Sequence, residues 1–426
     1  MKIINHRQRE YTFTDHSKSG NTFSKRLALL VCAAVFALPN VVMAQAGSMD
    51  PTFGTNGIVT TANTVANAAA LQSDGKIVVA GSIANSQNFQ QGGLLRYTSN
   101  GVLDSTFGTG GEVLIGTSNT GGAFAAAIQT DGKIVAAAPS SVRLTIFRFN
   151  SNGTVDNSFG TNGSETILAA GFLFPPASGG MALQSDGKIL VATGDVVARL
   201  LANGQLDSTF GSGGVAPTVG GDSVALLPNG QILIGTGSVT SLYSANGSLV
   251  TRFGVNGQTA GFASNGVGGF VVTTDTTTKI VTAGSLITSP SLTFAQNTSG
   301  FLLVRYTSNG TIDNSFGTHG GVATPFPGNL FSQTFAVAAQ TNGDIVAVGQ
   351  TALTDVNVVP GPSDFGLARY LPNGQIDTTF GNGGFVSTAF GSSEAFANAV
   401  LIQTDGKIVV SGNSNSGTTV ARYLGN

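Results

Sequence analysis

The sequence predicts an all-β protein, a seven-bladed β-propeller of four-stranded blades, and three observations support this fold class. One motif recurs seven times along the chain, at intervals of 43 to 64 residues. Such intervals are typical of propeller repeats. Three turn motifs divide the repeat into four apolar stretches, which is the strand count of a blade. The two ends of the chain carry complementary parts of one repeat, as a closed ring requires.

The most regular motif reads Asp-x-[Thr/Ser]-Phe-Gly-x-x-Gly. A degenerate copy at Val250 keeps Phe253, Gly254 and Gly257. The six full copies begin at Asp50, Asp104, Asp156, Asp207, Asp313 and Asp377. A spacing this regular predicts one structural unit repeated along the chain.

Two further motifs supply the hairpin turns. One reads Gln-x-Asp-Gly-Lys-Ile and the other Arg-Tyr-x-x-Asn-Gly, as at Gln72 and Arg96. Asp-Gly and Asn-Gly provide the positive φ that tight hairpins demand. The first apolar stretch is rich in alanine, which suits a strand near a crowded central axis. The second is apolar on successive residues, so both of its faces should be covered. We expect the fourth strand at Val102–Asp104 and its equivalents.

The chain ends predict how the ring closes. The chain finishes on the third strand of a repeat, Arg422–Asn426, and the segment from Gly47 resembles the fourth strand. We therefore expect the N-terminal strand to complete the last blade, in a 3+1 arrangement. The predicted propeller covers residues 45–426, with blades at about 58–111, 112–163, 164–214, 215–257, 258–320, 321–384, and 385–426 together with 45–57.

An arginine precedes the motif aspartate by eight residues in six repeats. The predicted cross-strand pairs are Arg96 with Asp104, Arg148 with Asp156, Arg199 with Asp207, Arg305 with Asp313, Arg369 with Asp377, and Arg422 with Asp50 across the closure. In the fourth repeat both partners are replaced together, by Leu242 and Val250. Joint replacement is what a cross-strand pair predicts, and each pair should contribute ~0.2 to 1 kcal/mol.

Residues 1–44 are typical of a signal peptide with an extended basic n-region. An apolar run from Leu27 to Leu38 follows six basic residues and is too short to span a bilayer. Small residues favour cleavage after Ala44 or Ala46. Cys32 lies inside the apolar run and lacks the small neighbour of a lipoprotein anchor. We expect an exported protein, secreted, periplasmic or on the cell surface, with no membrane span after cleavage.

The composition of the expected mature chain excludes several kinds of site. It contains 13 Lys and Arg against 19 Asp and Glu, no cysteine and a single histidine, His319. A mildly acidic chain without a basic stripe does not predict a nucleic-acid partner. Catalytic Ser-His-Asp and Cys-His arrangements and multi-histidine zinc sites are also not expected. His319 replaces a turn residue in one Phe-Gly-x-x-Gly copy.

The combined motifs resemble the delta-60 repeat family of exported bacterial proteins, and each blade resembles an NHL-type propeller unit. The resemblance is carried by Leu71–Ile77, Arg96-Tyr97 and Asp104–Gly108, and it covers essentially everything after residue 46. The fourth and fifth repeats depart from the pattern at their first turn. The family is defined by its repeat, so the resemblance implies a fold and no catalytic residues.

Two chemical alternatives concern metals. The motif aspartates could bind calcium, since carboxylates beside glycine-rich turns suit hard cations. Each segment carries only one, however, and pairing with arginine is the simpler interpretation, so we expect no cofactor and no metal site. A metal-dependent hydrolase of lactonase type is the alternative function, with Asp222, Asp275 and Glu394 as candidate carboxylates at the channel mouth.

The connections between second and third strands vary in length and are longest in the first, fifth and sixth repeats. Variable loops on a rigid scaffold are where binding residues concentrate. The loops at 287–300 and 351–365 are polar with occasional aromatic residues, and we predict binding residues at Phe294, Asp355, Asp364 and Phe365. The sequence thus favours a binding or scaffolding module for an extracellular protein or glycan partner.

Overall fold

The computed structural model describes residues 45–425 except 85–89, 118–119, 141–142, 168–178, 195, 219–220, 222, 237–238, 260–266, 275–276, 287–298, 354–360 and 392–393. Within these residues the chain forms 27 strands in seven antiparallel sheets. The predicted all-β, seven-bladed propeller is therefore confirmed.

The seven innermost strands line the central channel. Each contacts the innermost strand of the blade before and of the blade after, and the last contacts the first, so the ring is closed. They are β2 (Thr64–Leu71), β6 (Ala125–Ile128), β10 (Gly180–Leu183), β14 (Ser223–Leu226), β17 (Val267–Thr274), β21 (Phe331–Ala339) and β25 (Phe396–Ile402).

The second and third strands form the buried middle of each blade. The second strands are β3 (Ile77–Ala84), β7 (Ile134–Ser140), β11 (Ile189–Thr193), β15 (Ile232–Thr236), β18 (Thr278–Leu286), β22 (Ile345–Ala352) and β26 (Ile408–Ser414). The third strands are β4 (Gln90–Tyr97), β8 (Arg143–Phe149), β12 (Val196–Leu200), β16 (Val239–Tyr243), β19 (Gly300–Thr307), β23 (Asp364–Tyr370) and β27 (Gly417–Tyr423). Ile77 to Ala80 are at most 1% exposed, because blades cover both faces of these strands.

The outermost strands are short, which protects the sheet edges. They are β5 (Glu112–Leu114), β9 (Ser164–Ile167), β13 (Val215–Pro217), β20 (Gly321–Thr324), β24 (Phe385–Thr388) and β1 (Ile58–Thr61). The fourth blade, β14 to β16, has in the described residues only a bridge between Ser241 and Gln258 at this position.

The outermost strand differs from the sequence prediction. It follows the Phe-Gly-x-x-Gly turn, at Glu112 to Leu114 in the first blade, whereas Leu103 makes only an isolated bridge to Tyr97. Gly108 and Gly111 have φ of 53° and 102°, so the chain reverses within the motif and becomes extended only afterwards. Blades therefore begin and end some residues later than the sequence boundaries suggest.

The predicted 3+1 closure is confirmed, with β1 as the closing strand. Ile58 to Thr61 pair with Ala421 to Thr418 of β27, and Met49 forms a bridge with Tyr423. In the other blades one turn joins the third strand to the Asp-x-[Thr/Ser]-Phe-Gly motif. At the closure this turn is formed by both ends of the chain, since Gly47 N donates to Leu424 O at 2.7 Å. Gly47 has φ of 86°, the same value as Gly101 in the intact turn of the first blade. The signal peptide predicted at 1–44, with Cys32, lies outside the described residues.

Candidate functional site

The repeated motifs meet in one cluster in each of six blades, on the face of the ring that carries the hairpin turns, here called the turn face. Each of the six predicted Arg-Asp pairs is present, with arginine Nε 2.7 to 2.9 Å from aspartate Oδ2. Both partners are buried in nearly every pair. Each guanidinium carbon also lies 4.4 to 4.7 Å from the ring centre of the motif phenylalanine.

The cluster also joins neighbouring blades. In the first blade, Arg96 Nη1 donates to Ser151 O of the second blade, and Gly108 N donates to Asn152 O at 2.9 Å. The glycine bond recurs at every blade junction, at 2.7 to 2.9 Å. At the closure Gly381 N uses Ala46 O as its acceptor. The repeated polar residues therefore fasten the ring together.

The motif carboxylates are saturated by protein donors. Asp156 Oδ1 accepts from the amide and hydroxyl of Ser158, at 3.1 and 2.6 Å, and Oδ2 accepts from Arg148. Lys133 Nζ lies 3.4 Å from the same Oδ2. Burial alone would raise the pKa of Asp156, but the Ser158 hydrogen bonds and the charge of Arg148 outweigh it and lower the pKa to about 2. Both oxygens of Asp156 therefore already accept hydrogen bonds from protein donors.

A cavity of about 830 Å³ opens at the turn face between the seventh, first and second blades. Its polar lining includes Gln72, Asp74, Gln403 and Lys407, all of which belong to the repeated turn motif. Lys407 is paired with Asp405 at 3.1 Å, and Asp74 with Lys76 at 2.8 Å. These residues recur around the ring. The lining of this mouth therefore consists mainly of repeat residues and does not distinguish one blade from another.

The opposite mouth of the channel is lined by different residues. It lies on the face where the second strands end and the third strands begin, here called the loop face. A cavity of about 510 Å³ lies there among the innermost strands. One ring of its wall consists of small residues, namely Ala68, Ala125, Gly180, Ser223, Ala336 and Ala399. The residue directly before each of these varies, as Asn67, Phe124, Gly179, Asp222, Phe335 and Asn398. Asp222 lies outside the described residues.

Four innermost strands contain a β-bulge at that variable position. The register shifts between Ala66 and Ala68, between Val267 and Gly269, between Thr334 and Ala336, and between Ala397 and Ala399. The residues left unpaired include Asn67, Phe335 and Asn398, which all line the cavity. A bulge bends its strand and re-aims a side chain, and bulges are common beside functional sites.

A glycine in the second strand permits each bulge. Gly81, Gly284, Gly349 and Gly412 stand four residues after the isoleucine that begins the second-strand core, and the non-bulged blades have Ala138, Thr193 and Thr236 instead. A Cβ on Gly349 would lie 1.9 Å from Gln333 O, and one on Gly412 would lie 2.1 Å from Phe396 O. The strands can approach this closely only without a side chain.

The bulges divide the ring into two arcs. Blades five, six, seven and one have innermost strands of 7 to 9 residues, whereas blades two, three and four have strands of 4. At about 3.3 Å per residue, the longer strands extend roughly 10 Å further along the channel. The candidate site therefore has longer strands on one side, and three of these four blades, the fifth, sixth and first, also carry the longest loops.

The structure separates the predicted binding residues. Phe294 and Asp355 lie outside the described residues. Phe365 is 0% exposed and packs 4.6 Å from Phe390 between ring centres, so its prediction as a partner contact is wrong, because it fills the core between two blades. Asp364 is partly exposed at the start of β23 and accepts a hydrogen bond from Ser387 Oγ at 2.7 Å.

The carboxylates of the hydrolase alternative do not form a described site. Asp222 and Asp275 lie outside the described residues, and Glu394 is exposed just before β25. Ser223 and Thr274, the described neighbours of the two aspartates, stand at opposite ends of their channel-lining strands. Among the described residues, no group of three or more His, Cys, Asp or Glu side chains is placed to hold a metal ion. His319 has φ of 54° and lies in a turn between β19 and β20, on the turn face.

Asn67, Phe124, Phe335 and Asn398 were not predicted from the sequence. The signal was present, since each bulged blade carries a glycine four residues after the isoleucine of its second strand. The first strand was expected to be uniform, with the variation confined to the loops. The innermost strands therefore contribute, together with the loops, to the variation of the loop face.

Comparison with known proteins agrees with the architecture. The profile of a family described as "Domain of unknown function (DUF5122) beta-propeller" matches residues 72–107, 129–159, 184–210, 279–316 and 340–380. The chain is a β-propeller repeat protein. The matched segments of this repeat protein run from the first turn to the Phe-Gly motif, and the degenerate fourth repeat is skipped. No curated protein matches the chain.

Solved structures of low identity share the fold of this repeat protein. A catalytically inactive variant of virginiamycin B lyase from Staphylococcus aureus, with quinupristin, is 11% identical over 86% of this chain and 99% of the other, with a TM-score of 0.52. A protein of unknown function from Bacteroides caccae is 16% identical over 61% and 81% of the two chains, with a TM-score of 0.40. The extracellular domain of a one-component system from B. thetaiotaomicron is 16% identical over 86% of this chain and 40% of that one, with a TM-score of 0.48. The likeness to the lyase variant, with a TM-score above 0.5 at 11% identity, shows a shared fold alone.

Proposed function

We propose that this propeller is an exported binding or scaffolding module that holds a protein or glycan partner on its loop face. The observation that carries the proposal is the contrast between the two channel mouths. The turn face repeats one saturated cluster from blade to blade, whereas the loop face combines bulged strands, the longest loops and an open cavity. A partner that recognises one orientation needs a surface that differs around the ring.

Export is supported by the basic and apolar character of the N-terminal segment. Among the described residues no helix has the length and apolar character needed to cross a membrane. Mass spectrometry of the protein from its producing cells tests this part. We expect a mature N-terminus at Gln45 or Gly47, and a chain that retains Met1 in the cytoplasm would contradict export.

The binding test compares two faces of one protein. One variant has the loops at 287–298 and 354–360 shortened to Gly-Ser links, and its matched control carries Asn203→Ala and Asn373→Ala on the turn face. Both variants should keep the wild-type melting temperature, because the core clusters are untouched. Wild type and control should retain the same partner from the envelope fraction, and the loop variant should lose it. Equal capture by all three proteins would contradict the loop face as the binding surface.

The lyase likeness does not extend to an activity here. The one histidine of the expected mature chain lies in the turn before the outermost strand of the fifth blade, and it is not among the residues that line the candidate site. Within the described part of the chain the candidate site offers amides, a hydroxyl and aromatic rings, and these groups bind ligands without supplying a general acid or base near neutral pH. Binding is the function that this surface supports best.

A further inference from the structure

We propose that the cavity at the loop-side mouth of the channel is a binding site for an uncharged carbohydrate, with Asn67 and Asn398 as hydrogen-bonding residues and Phe335 as the aromatic contact. This inference rests on the proposed binding function and gives it a ligand class. The cavity volume of about 510 Å³ falls within the range of sites that bury a small ligand.

The two asparagines are held in fixed orientations by the neighbouring blade. Asn67 Nδ2 donates to Ala123 O at 3.1 Å, and Asn398 Nδ2 donates to Ala66 O at 2.7 Å. In the described part of the chain no donor bonds the Oδ1 of either side chain. Each amide therefore presents an acceptor whose direction is fixed before a ligand arrives, and sugar hydroxyl groups are suitable donors.

The aromatic rings supply apolar contact. Phe335 is half-buried on its bulge, where it packs edge-on against Phe396 with ring centres 6.3 Å apart. Phe124 precedes the small residue of the second blade in the same way, but it is 6% exposed and belongs to the core between the second and third blades. Rigid aromatic faces beside a few fixed polar groups are typical of small-molecule sites. The C–H face of a pyranose ring is an apolar surface of suitable size.

The described lining of the cavity disfavours an anionic ligand. No Lys or Arg is among the described residues that line it. An anionic sugar would lose its hydration in the recess without gaining a cationic partner, which is unfavourable. A neutral oligosaccharide loses only hydroxyl hydration, and the two asparagines replace part of those hydrogen bonds.

The test uses the mature wild-type protein on an array of neutral and anionic oligosaccharides, followed by calorimetric titration with the best neutral ligand. Phe335→Ala and Asn398→Ala should each weaken binding by about tenfold or more, which corresponds to about 1.4 kcal/mol. Asn398→Ala should still fold, because Ala66 O keeps a second donor, Asn413 Nδ2, at 2.8 Å. Asn203→Ala on the turn face is the matched control and should bind as wild type.

Three results would overturn the carbohydrate proposal: no binding to any neutral glycan, equal binding of anionic glycans, or unchanged affinity in both cavity variants. The loop-shortened protein separates this proposal from the general one. If it loses partner capture and still binds the neutral glycan, both proposals stand. If partner capture depends on the loops and no glycan binds, the carbohydrate site fails alone, and if a glycan binds while capture ignores the loops, the loop proposal fails alone.

Discussion

Arg422 Nε lies 2.9 Å from Asp50 Oδ2, although the two residues are 372 positions apart in the chain. The pair has the same geometry as the five pairs formed within one repeat, so the ring is closed by the interaction found in five of the other blades. Both side chains are at most 6% exposed. Removal of the pair between Arg422 and Asp50 should reveal how much of the free energy of unfolding depends on the ring closure.

Arg422→Leu should destabilise the protein by about 3 to 5 kcal/mol, because it leaves the carboxylate of Asp50 buried without its main partner. Lys407 Nζ, at 3.4 Å, compensates only in part. The double variant Arg422→Leu, Asp50→Val reproduces the Leu242 and Val250 of the fourth blade and should recover much of the loss. Urea unfolding measures both changes. A double variant less stable than the single one would show that the pair does not behave as a unit.

Acid should weaken the ring through the motif aspartates. The pKa of Asp156 is about 2 in the folded chain and near 4 when unfolded, and burial, which would raise it, is outweighed by hydrogen bonds and by Arg148. A lowered folded pKa stabilises the protein above pH 4, and that stability is lost as the pH falls from 4 toward 2. The pKa values of Asp50, Asp104, Asp207, Asp313 and Asp377 are lowered as well.

The measurement is the urea midpoint at a series of pH values. For Asp156 alone the expected loss on acidification is about 2 kcal/mol. Asp156→Asn should be less stable than wild type at pH 7 and should lose less stability between pH 4 and 2. Parallel pH profiles for the two proteins would contradict the assignment.

Calcium and EDTA should leave the melting temperature unchanged within about 2 °C, since a metal stabilises only the state that binds it. The physical reason is that the motif carboxylates already accept hydrogen bonds from protein donors on both oxygens, as in Asp104. The melting temperature is measured by thermal unfolding with added calcium, with EDTA, and with magnesium as the control. A large shift specific to calcium would favour the metal-dependent alternative.

The sequence predicted the ring closure and the six pairs because both depend on short spacings that repeat along the chain. The position of the outermost strand was missed, since Val102 to Asp104 looks like a strand and the positive φ of Gly108 and Gly111 cannot be read without the turn geometry. Phe365 was misassigned because an aromatic residue at the end of a polar loop resembles a surface anchor. The bulges were missed because a one-residue insertion is small beside the variation in loop length.

Those bulges give the most direct test of how the scaffold shapes the site. Gly349→Ala places a Cβ 1.9 Å from Gln333 O, so the strands must separate or the bulge must be lost. We expect a stability loss of about 1 to 3 kcal/mol from this overpacking.

Loss of the bulge would also rotate Phe335 away from the cavity, and glycan binding should fall with it. Gly269→Ala is the matched control, because its Cβ would meet only ordinary contacts, at 3.5 Å or more, on another innermost strand. Thermal unfolding and glycan titration of both variants decide the matter. If Gly349→Ala retained wild-type binding, the bulge could not be what positions Phe335 in the site.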